Sequence, residues 1–310
     1  MSMLATAFLC SCSNEEEPVT AGSPEVIRAS VGIGSAATRT VIDAGYGQDL
    51  AISFARINNP ATNGSWESPA IDAVRAGGSG NTSVTFGTTQ TYSVSNGQSA
   101  LIGYYPQAAL TGTSNPATVA YTITGDEDIM ATELQTGASN SPFTPFTFQH
   151  LLTQLQFKCT GSSEAIAKWS AVTSIKVKNV ATGLTLSLDK TNGATLAATG
   201  TANQMLSVFN CPQVVTLPTE ADPTIGYLML FPAQDMGTAN ASVVLEVVAT
   251  YNSGEKTLNV PINNISGGVK AGESHLITLN FTVDGEIMIE ADIAQWQPGN
   301  GGGSTITPGN

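Results

Sequence analysis

The sequence predicts an all-β protein built from β-sandwiches, and three observations support this prediction. Thr, Val and Asn recur along the chain, whereas the mixture of Ala, Glu, Lys and Leu that covers helix surfaces is missing. Apolar and polar residues alternate with a period of two in many short stretches. Gly, Asn and Pro separate these stretches without the strand–helix–strand rhythm of an α/β fold, which favours sandwiches.

The first predicted strand lies in the stretch VIRASVGIGSAATRTV, residues 26–41. Its alternating apolar positions, which would face inward, are Ile27, Ala29, Val31 and Ile33. Small residues follow at 34–38, and a single arginine, Arg39, comes after them. All four arginines lie within the first 75 residues and all seven lysines lie after residue 157, so a protease specific for arginine has no target beyond Arg75.

Three hairpins and one short helix are predicted further along the chain. The hairpins join 277–283 to 287–293, 243–251 to 258–262, and 175–177 to 184–188. The first of them turns at Asp284-Gly285, a pair that favours a tight two-residue turn. The best helical candidate is 163–170, which amounts to only about two turns.

Length and composition predict two domains and exclude nucleic acid as a partner. A chain of 310 residues suffices for about two domains. A Pro/Ser/Thr-rich stretch at 137–147 places the predicted boundary between sandwiches at 24–146 and 147–296. The remaining 297–310 is predicted to be a flexible Gly-rich tail. Because the net charge of -13 repels phosphate backbones, we do not expect nucleic-acid binding.

The first 12 residues resemble the end of a bacterial lipoprotein signal peptide. Leu9-Cys10-Ser11-Cys12 has the form of a lipobox, which makes Cys12 the predicted lipid-bearing residue. Only eleven residues precede Cys12 and none of them is basic, so we expect the natural start to lie further upstream. The alternative is a disordered apolar end.

An acidic tether that contains proline follows at 13–23. Its run Glu15-Glu16-Glu17 is similar to the surface-export signal of Bacteroidota lipoproteins, although a plain solvated spacer would have the same composition. No other stretch approaches the roughly eighteen apolar residues that span a bilayer. We therefore expect any anchoring in the outer membrane to occur through lipid at Cys12.

No combination of residues in the sequence supports catalysis or a cofactor. His150 and His275 stand in separate strand contexts, outside any metal or nucleophile motif, so we expect both to be structural. Cys159 and Cys211 could form a disulfide or remain two thiols, and the alternation in LQFKC favours a buried thiol at Cys159. The sequence therefore predicts a protein that is not an enzyme.

Two further groups of residues have both a binding and a structural interpretation. The acidic run 126–128 could help to hold Ca²⁺, but it lacks alternating oxygen ligands, so we expect a solvated loop. The aromatic residues that could form a sugar-stacking platform, or else belong to the core, are Trp66, Trp169, Trp296, Tyr104 and Tyr105.

Several motifs carry a resemblance to a known family. In chain order they are the lipobox at Cys12, Thr38-Arg39-Thr40, GYYP at 103–106, DIMAT at 128–132, FQHLLTQLQF at 148–157, AGESHLITLNF at 271–281 and IEADIAQW at 289–296. Together they resemble the fimbrillin family of Bacteroidales, the subunits of type V fimbriae. The ordered set covers most of the mature chain.

The resemblance implies two transthyretin-like β-sandwiches and a life cycle. A lipidated precursor reaches the outer-membrane surface, where an Arg-specific surface protease cuts in the loop after the first strand. Arg39 is the candidate for the cut, which would leave Thr40 as the new N-terminus, and Arg75 is its rival because AVRAGGSGN is also a soft sequence. Removal of the strand that carries Ile27 to Ile33 would open a groove for a strand of another fimbrial subunit.

The sequence departs from the family at its C-terminal end. Stalk subunits of the family carry a C-terminal extension as donor, whereas this tail is short, rich in Gly and almost free of aliphatic residues. Stalk, tip and accessory roles therefore stay open, as does donation of the last strand at 287–296. The alternative function is a surface lipoprotein adhesin that does not polymerise and binds glycans or proteins of a host or of other bacteria.

Overall fold

The structure, a computed structural model, describes residues 25–34, 42, 45–62, 64–93, 97–211, 213–221 and 223–293. These residues form nineteen strands and one helix, α1 (Ser163–Lys168). The strands are β1 (Ala29–Ile33), β2 (Leu50–Asn58), β3 (Ile71–Arg75), β4 (Thr82–Phe86), β5 (Ser99–Tyr105), β6 (Ala117–Thr122), β7 (Met130–Thr132), β8 (Gln135–Gly137), β9 (Phe146–His150), β10 (Thr153–Gly161), β11 (Trp169–Val180), β12 (Gly183–Asp189), β13 (Gly193–Ala198), β14 (Gln204–Ser207), β15 (Gly226–Leu230), β16 (Val243–Tyr251), β17 (Gly254–Ile262), β18 (Ser274–Phe281) and β19 (Ile287–Ile293). The predicted all-β sandwich class is confirmed.

The helix α1 lies where the sequence predicts one. The side chain of Ser162 caps it, because Ser162 Oγ accepts a hydrogen bond from the Ala165 amide at 3.2 Å. The helix ends at Lys168, two residues before the predicted end, because the buried Trp169 begins β11. This single helix is much too short for a membrane span, and the described part of the chain contains no longer apolar helix.

Two of the three predicted hairpins are confirmed. β18 and β19 pair in antiparallel register from His275 opposite Ile293 to Phe281 opposite Ile287. The turn between them has three residues, 283–285, rather than the predicted two, because the amide of Thr282 donates to the carbonyl of Glu286. β16 and β17 pair in the same way around a turn in which Asn252 and Ser253 have φ of 47° and 63°. Positive φ at both central residues gives the turn twist that a two-residue hairpin needs.

The third predicted hairpin is wrong. β11 and β12 follow one another, but β11 pairs with β14 and β16, whereas β12 pairs with β6 and β13. Alternation along each strand correctly marks the face that is buried. It does not determine the neighbouring strand, since any strand of matching length and pattern can supply the hydrogen bonds.

The second half of the chain contains two four-stranded sheets around one core. Their orders are β15-β10-β18-β19 and β14-β11-β16-β17. Inward side chains from both sheets, among them Phe157, Leu279, Val177 and Leu245, belong to one cluster of buried apolar residues. The arrangement has the two-layer form of a sandwich.

Seven strands of the first half form a closed ring of pairings. Starting at β2, the order is β2-β3-β4-β1-β9-β7-β5, and β5 pairs again with β2, while β8 pairs with the outer part of β5. A second apolar cluster fills the inside of this ring, separate from the core of the later sheets. Closure leaves the ring without an exposed edge, so each of its strands has a partner on both sides.

Three pairings cross the predicted boundary at 146/147. β9 spans that position, and its partners β1 and β7 lie in the ring. β6 pairs with β12, which follows the boundary. The division into 24–146 and 147–296 stays a prediction, and β9 lies with the strands of the first half.

Candidate functional site

The first strand is the central feature of the ring. β1 lies between β4, with which it pairs antiparallel from Ala29 opposite Val84, and β9, with which it pairs parallel from Val31 opposite Phe146. We call the space that β1 occupies between β4 and β9 the β1 slot. β4 pairs with residues 29–31 and β9 with residues 31–33, so loss of β1 would leave part of one side of each neighbour unpaired.

Three of the four residues predicted to face inward are buried. Val31 is 0% exposed, Ile27 2% and Ile33 5%, while Ala29 is half-buried. Fully burying a side chain of this size contributes about 1.5–3 kcal/mol to folding. Regular pairing begins only at Ala29, so Ile27, the first of the alternating positions, lies just before the strand.

Backbone hydrogen bonds outside the regular strand extend the hold on this segment. The amide of Ile27 donates to the carbonyl of Gln90 at 2.8 Å, and the amide of Tyr92 donates to the carbonyl of Glu25 at 2.9 Å. At the other end, the amide of Gly34 donates to the carbonyl of Phe148 at 2.7 Å. The chain is thus extended and paired from residue 25 to residue 34.

Aromatic side chains line the inside of the ring beneath β1. Phe146 and Phe148 of β9 are both fully buried and belong to the same apolar cluster as Val31 and Ile33. The ring of Phe146 also makes an edge contact with Phe54 of β2, with centroids 5.3 Å apart. Without β1, these rings would lose the side chains that cover them.

Arg75, the rival cleavage site, is buried and contacts the first strand. Its side chain is 0% exposed, and Nε donates to the carbonyl oxygen of Val31 at 3.2 Å. Its terminal nitrogens donate to three carbonyls of the following loop, those of Ala76 at 3.1 Å, Gly78 at 2.9 Å and Gly80 at 3.2 Å. Burial lowers the pKa of Arg75, although a guanidinium stays protonated at physiological pH.

Arg75 lies at the end of β3, and its side chain is buried rather than exposed in the loop that follows. A protease specific for arginine must take the side chain into its own pocket, and Arg75 is engaged with four carbonyls instead. Arg56 is buried as well, with hydrogen bonds to Asn58 and Gln90. Arg28 is exposed but lies within the paired first segment.

The other predicted processing residues lie outside the described part of the chain. These residues are Cys12, Arg39 and Thr40. The described chain ends at Gly34 before the predicted cut and includes Ile42 after it, and Ile42 is buried in the apolar cluster of the ring. The predicted cut thus lies between two segments that both pack into the ring.

The cysteines and histidines have structural surroundings. Cys159 is a buried free thiol and Cys211 a half-buried one, and burial raises the pKa of both, which suppresses the reactive thiolate. His150 Nδ1 lies 2.7 Å from Asp128 Oδ2 inside the protein. His275 is buried with Nε2 at 3.6 Å from a carboxylate oxygen of Glu273.

The expectation of a solvated acidic loop at 126–128 is wrong for two of its three residues. Glu127 is buried and accepts hydrogen bonds from the amides of Thr124 and Gly125 at 2.7 and 2.8 Å, and Asp128 is buried beside His150. Both carboxyl groups have hydrogen-bonding partners inside the fold. Among the described residues, no group of three or more potential metal-binding side chains comes together.

The predicted aromatic residues belong to the core where they are described. Trp66, Trp169 and Tyr104 are buried, and Tyr105 is half-buried. Trp169 packs against Tyr251 and Phe281, and its indole nitrogen donates to the carbonyl of Thr282. Trp296 lies outside the described residues. The structural interpretation therefore holds for the described members of this group.

The fold and the inserted first strand define an all-β protein whose N-terminal segment completes a ring of strands. The chain belongs to the fimbrillin-like family, whose model matches residues 38–296. The match begins after β1, which lies entirely outside the matched range.

Individual relatives agree with this assignment. A proposed fimbrium subunit of Bacteroides uniformis, Fim1C, is 24% identical over 98% of this chain and 96% of its own length. The crystal structure of a proposed cell adhesion protein from Bacteroides uniformis superposes with a TM-score of 0.63 at 19% identity, covering 91% of this chain and all of the other. A similar protein from Bacteroides ovatus gives 0.58 at 21% identity, covering 89% of this chain and 98% of its own.

Proposed function

We propose that this member of a fimbrial subunit family is a structural subunit of a cell-surface fimbria that is activated by proteolysis. It is made as a lipoprotein precursor held in the outer membrane through Cys12. An Arg-specific surface protease then removes the first strand by cutting after Arg39. A strand from another fimbrial subunit enters the β1 slot and joins the two subunits by donor-strand exchange.

The observation that carries this proposal is the position of β1 within the ring of strands, between β4 and β9. The strand has two partners, and its buried residues cover the aromatic side chains of β9. Release of β1 would expose apolar side chains and unpaired backbone groups on both β4 and β9. An incoming strand removes both unfavourable terms at once by β-augmentation.

The surroundings of the arginines support Arg39 as the target. Arg56 and Arg75 are buried, and Arg28 lies in a segment paired on both flanks, so these three are poor protease substrates in the folded precursor. Proteolytic cutting favours small, polar, accessible loop sequences, and 34–38 has that composition. The start of the family match at residue 38 also agrees with a mature chain that begins near the predicted cut.

The processing step is tested by replacing Arg39 in the organism that produces the protein. With Arg39→Ala, we expect the surface-exposed protein to keep its lipidated N-terminus at Cys12 and to be missing from SDS-resistant ladders. The unaltered protein should begin at Thr40 and enter the ladders. Arg28→Ala, at an exposed position within the first segment, is the control and should be processed normally.

Ladders that persist unchanged in the Arg39→Ala strain would contradict the proposal. A mature protein that begins at Cys12 in the unaltered strain would instead favour a lipoprotein adhesin that does not polymerise. The adhesion names of the two similar solved structures support that second candidate. An adhesin that uses an aromatic sugar platform is not supported within the described residues, because Trp66 and Trp169 are buried.

A further inference from the structure

The outward side of β1 is closed by neighbouring groups at two glycines. A methyl group on Gly34 would lie 2.9 Å from the carbonyl oxygen of Phe148 and 2.8 Å from Oε1 of Gln149, both closer than real Cβ contacts come. A methyl group on Gly32 would collide with the side-chain amide of Asn81. The β1 slot therefore limits the size of side chains on its outward side as well as accepting apolar ones on its inward side.

The groups that close over positions 32 and 34 differ in how easily they can move away from a larger side chain. Asn81 is exposed, so its side chain can swing away from a substituent at position 32. The obstruction at position 34 is partly the main chain of β9, and the same Phe148 carbonyl accepts the Gly34 amide. Position 34 therefore tolerates larger side chains less well than position 32, because moving the Phe148 carbonyl would disturb the pairing that holds the strand.

Arg75 contacts the main chain of the strand in the slot, so this contact does not depend on the side chains of that strand. β4 pairs with β1 only as far as Val31 opposite Thr82, and at this point the Arg75 guanidinium binds the Val31 carbonyl. Any strand in the same position would present a carbonyl there. The slot thus binds the main chain through Arg75 and selects side chains through the closed outward positions.

We propose that the β1 slot accepts a strand in which aliphatic residues alternate with glycine, supplied by a different polypeptide rather than by the last strand of a second copy of this chain. This inference rests on the proposed donor-strand exchange. The sequence Val-Gly-Ile-Gly at 31–34 is the one place where this chain has two aliphatic residues each followed by glycine. The last strand, β19, alternates its inward residues with Met288, Glu290 and Asp292, which are too large for the closed positions.

The test uses the full chain, cut in its folded state by an Arg-specific endoprotease that is then inactivated. Fluorescent peptides are titrated into the cut protein, and binding is followed by fluorescence anisotropy. The reference peptide has the sequence of residues 26–34, and variants of it carry Gly34→Val, Gly32→Val or Ser30→Val. A further peptide has the sequence of residues 287–296, and it represents the last strand of a second copy.

We expect the reference peptide and the Ser30→Val peptide to bind with affinities that agree within about threefold, because position 30 already holds a side chain. Gly34→Val should weaken binding by more than about tenfold, as overpacking against a fixed main chain does, and Gly32→Val should have a smaller effect. The 287–296 peptide should not compete with the reference peptide.

Equal binding of the reference and Gly34→Val peptides, or competition by the 287–296 peptide, would overturn the selectivity while leaving donor-strand exchange intact. If the cut protein binds none of the peptides, including the reference, the exchange itself fails and the inference falls with it. Arg75→Gln should weaken the reference and Ser30→Val peptides by the same factor. If the Arg75→Gln chain binds both peptides as tightly as the unaltered chain does, the guanidinium does not hold the incoming main chain.

Discussion

The first and last strands of the described chain are held in opposite ways. β1 lies between two partner strands, and its residues Val31 and Ile33 are buried inside the ring. β19 lies at the edge of its sheet with β18 as its one strand partner among the described residues. Ile293 at its end is 72% exposed, and Met288 is 64% exposed. The strand that we propose is released is therefore much better packed than the strand that ends the described chain.

This contrast shows why removal of the first strand would require a covalent cut. A well-buried strand that pairs with two neighbours does not leave spontaneously, since exposing its side chains and neighbours costs several kcal/mol. An edge strand such as β19 can fray without disturbing the core. On the proposed route, a cut after the first strand would make its release effectively irreversible once the strand dissociates, so the slot would stay open for a new strand.

The last strand is nevertheless anchored at its beginning. In the turn before β19, the carbonyl of Val283 accepts a hydrogen bond from the Tyr251 hydroxyl at 2.8 Å, and the carbonyl of Gly285 accepts one from Lys256 Nζ at 2.6 Å. Lys168 Nζ also donates to Val283 at 2.9 Å. β19 is thus fixed at the Ile287 end and exposed at the Ile293 end, whereas β1 is held along its whole length.

The largest expected difference between the two strands is in the free energy of unfolding of two matched variants, Ile33→Ala and Ile293→Ala. Ile33→Ala removes a buried side chain from the ring and should lower the free energy of unfolding by about 2–4 kcal/mol. Ile293→Ala changes a mostly exposed side chain and should alter it by less than about 0.5 kcal/mol. Urea unfolding of the uncut full chain measures both. Equal losses in the two variants would mean that β1 is no better packed than β19.

Alternation in the sequence determined which residues of β1 face inward. Ile27, Val31 and Ile33 are buried because successive side chains of a strand point to opposite sides, and this holds whatever the neighbours are. The same reasoning correctly located β18 and β19, where a tight turn also fixed the pairing. The β11 and β12 pair lacked such a turn, and there the predicted partner was wrong.

Most of the contacts that define the β1 slot could not be derived from the sequence. Arg75 follows Val31 by 44 residues, and only the pairing of β3, β4 and β1 brings the two together. Gly32 and Gly34 appear in the sequence as ordinary small residues, and the groups that close over them come from distant segments. The burial of Glu127 and Asp128 had one available signal, the apolar Ile123 and Ile129 that flank the run.

A second comparison concerns the polar side chains that hold the two strands. Arg75→Gln removes a buried guanidinium that satisfies the Val31 carbonyl and the following loop, and should cost about 1.5–3 kcal/mol. Lys168→Gln should cost under about 1 kcal/mol, because the hydroxyl of Tyr251 still satisfies the carbonyl of Val283. Chemical unfolding of each variant provides the measurement, and a larger loss for Lys168→Gln would reverse the comparison.

The Arg75→Gln chain also separates the two candidate cleavage sites. If Arg39 is the target, limited digestion of the folded variant with an Arg-specific protease should give the same first fragment as the unaltered chain. Disappearance of the first fragment would identify Arg75 as the target. Mass spectrometry of the released peptide distinguishes the two results, and it should be done on early time points, before any unfolded chain is degraded.

The smallest expected effect is a dependence of stability on pH near the exposed end of the last strand. His275 lies on β18 opposite Ile293, and burial lowers its pKa, an effect that the nearby Glu273 partly opposes. In the unfolded chain the imidazole has its ordinary pKa of about 6.5. Below that pH the unfolded state binds the proton more readily than the folded state, so stability is full above it and falls as the pH drops towards the folded pKa.

His275→Gln should remove this contribution, so that unfolding free energies measured between about pH 7 and pH 5 fall less steeply than in the unaltered chain. Glu273→Gln provides the opposite test, because it removes the carboxylate at 3.6 Å that favours the charged imidazole. That variant should lose stability more steeply on acidification. Identical slopes in all three proteins would mean that His275 takes up its proton equally well in both states.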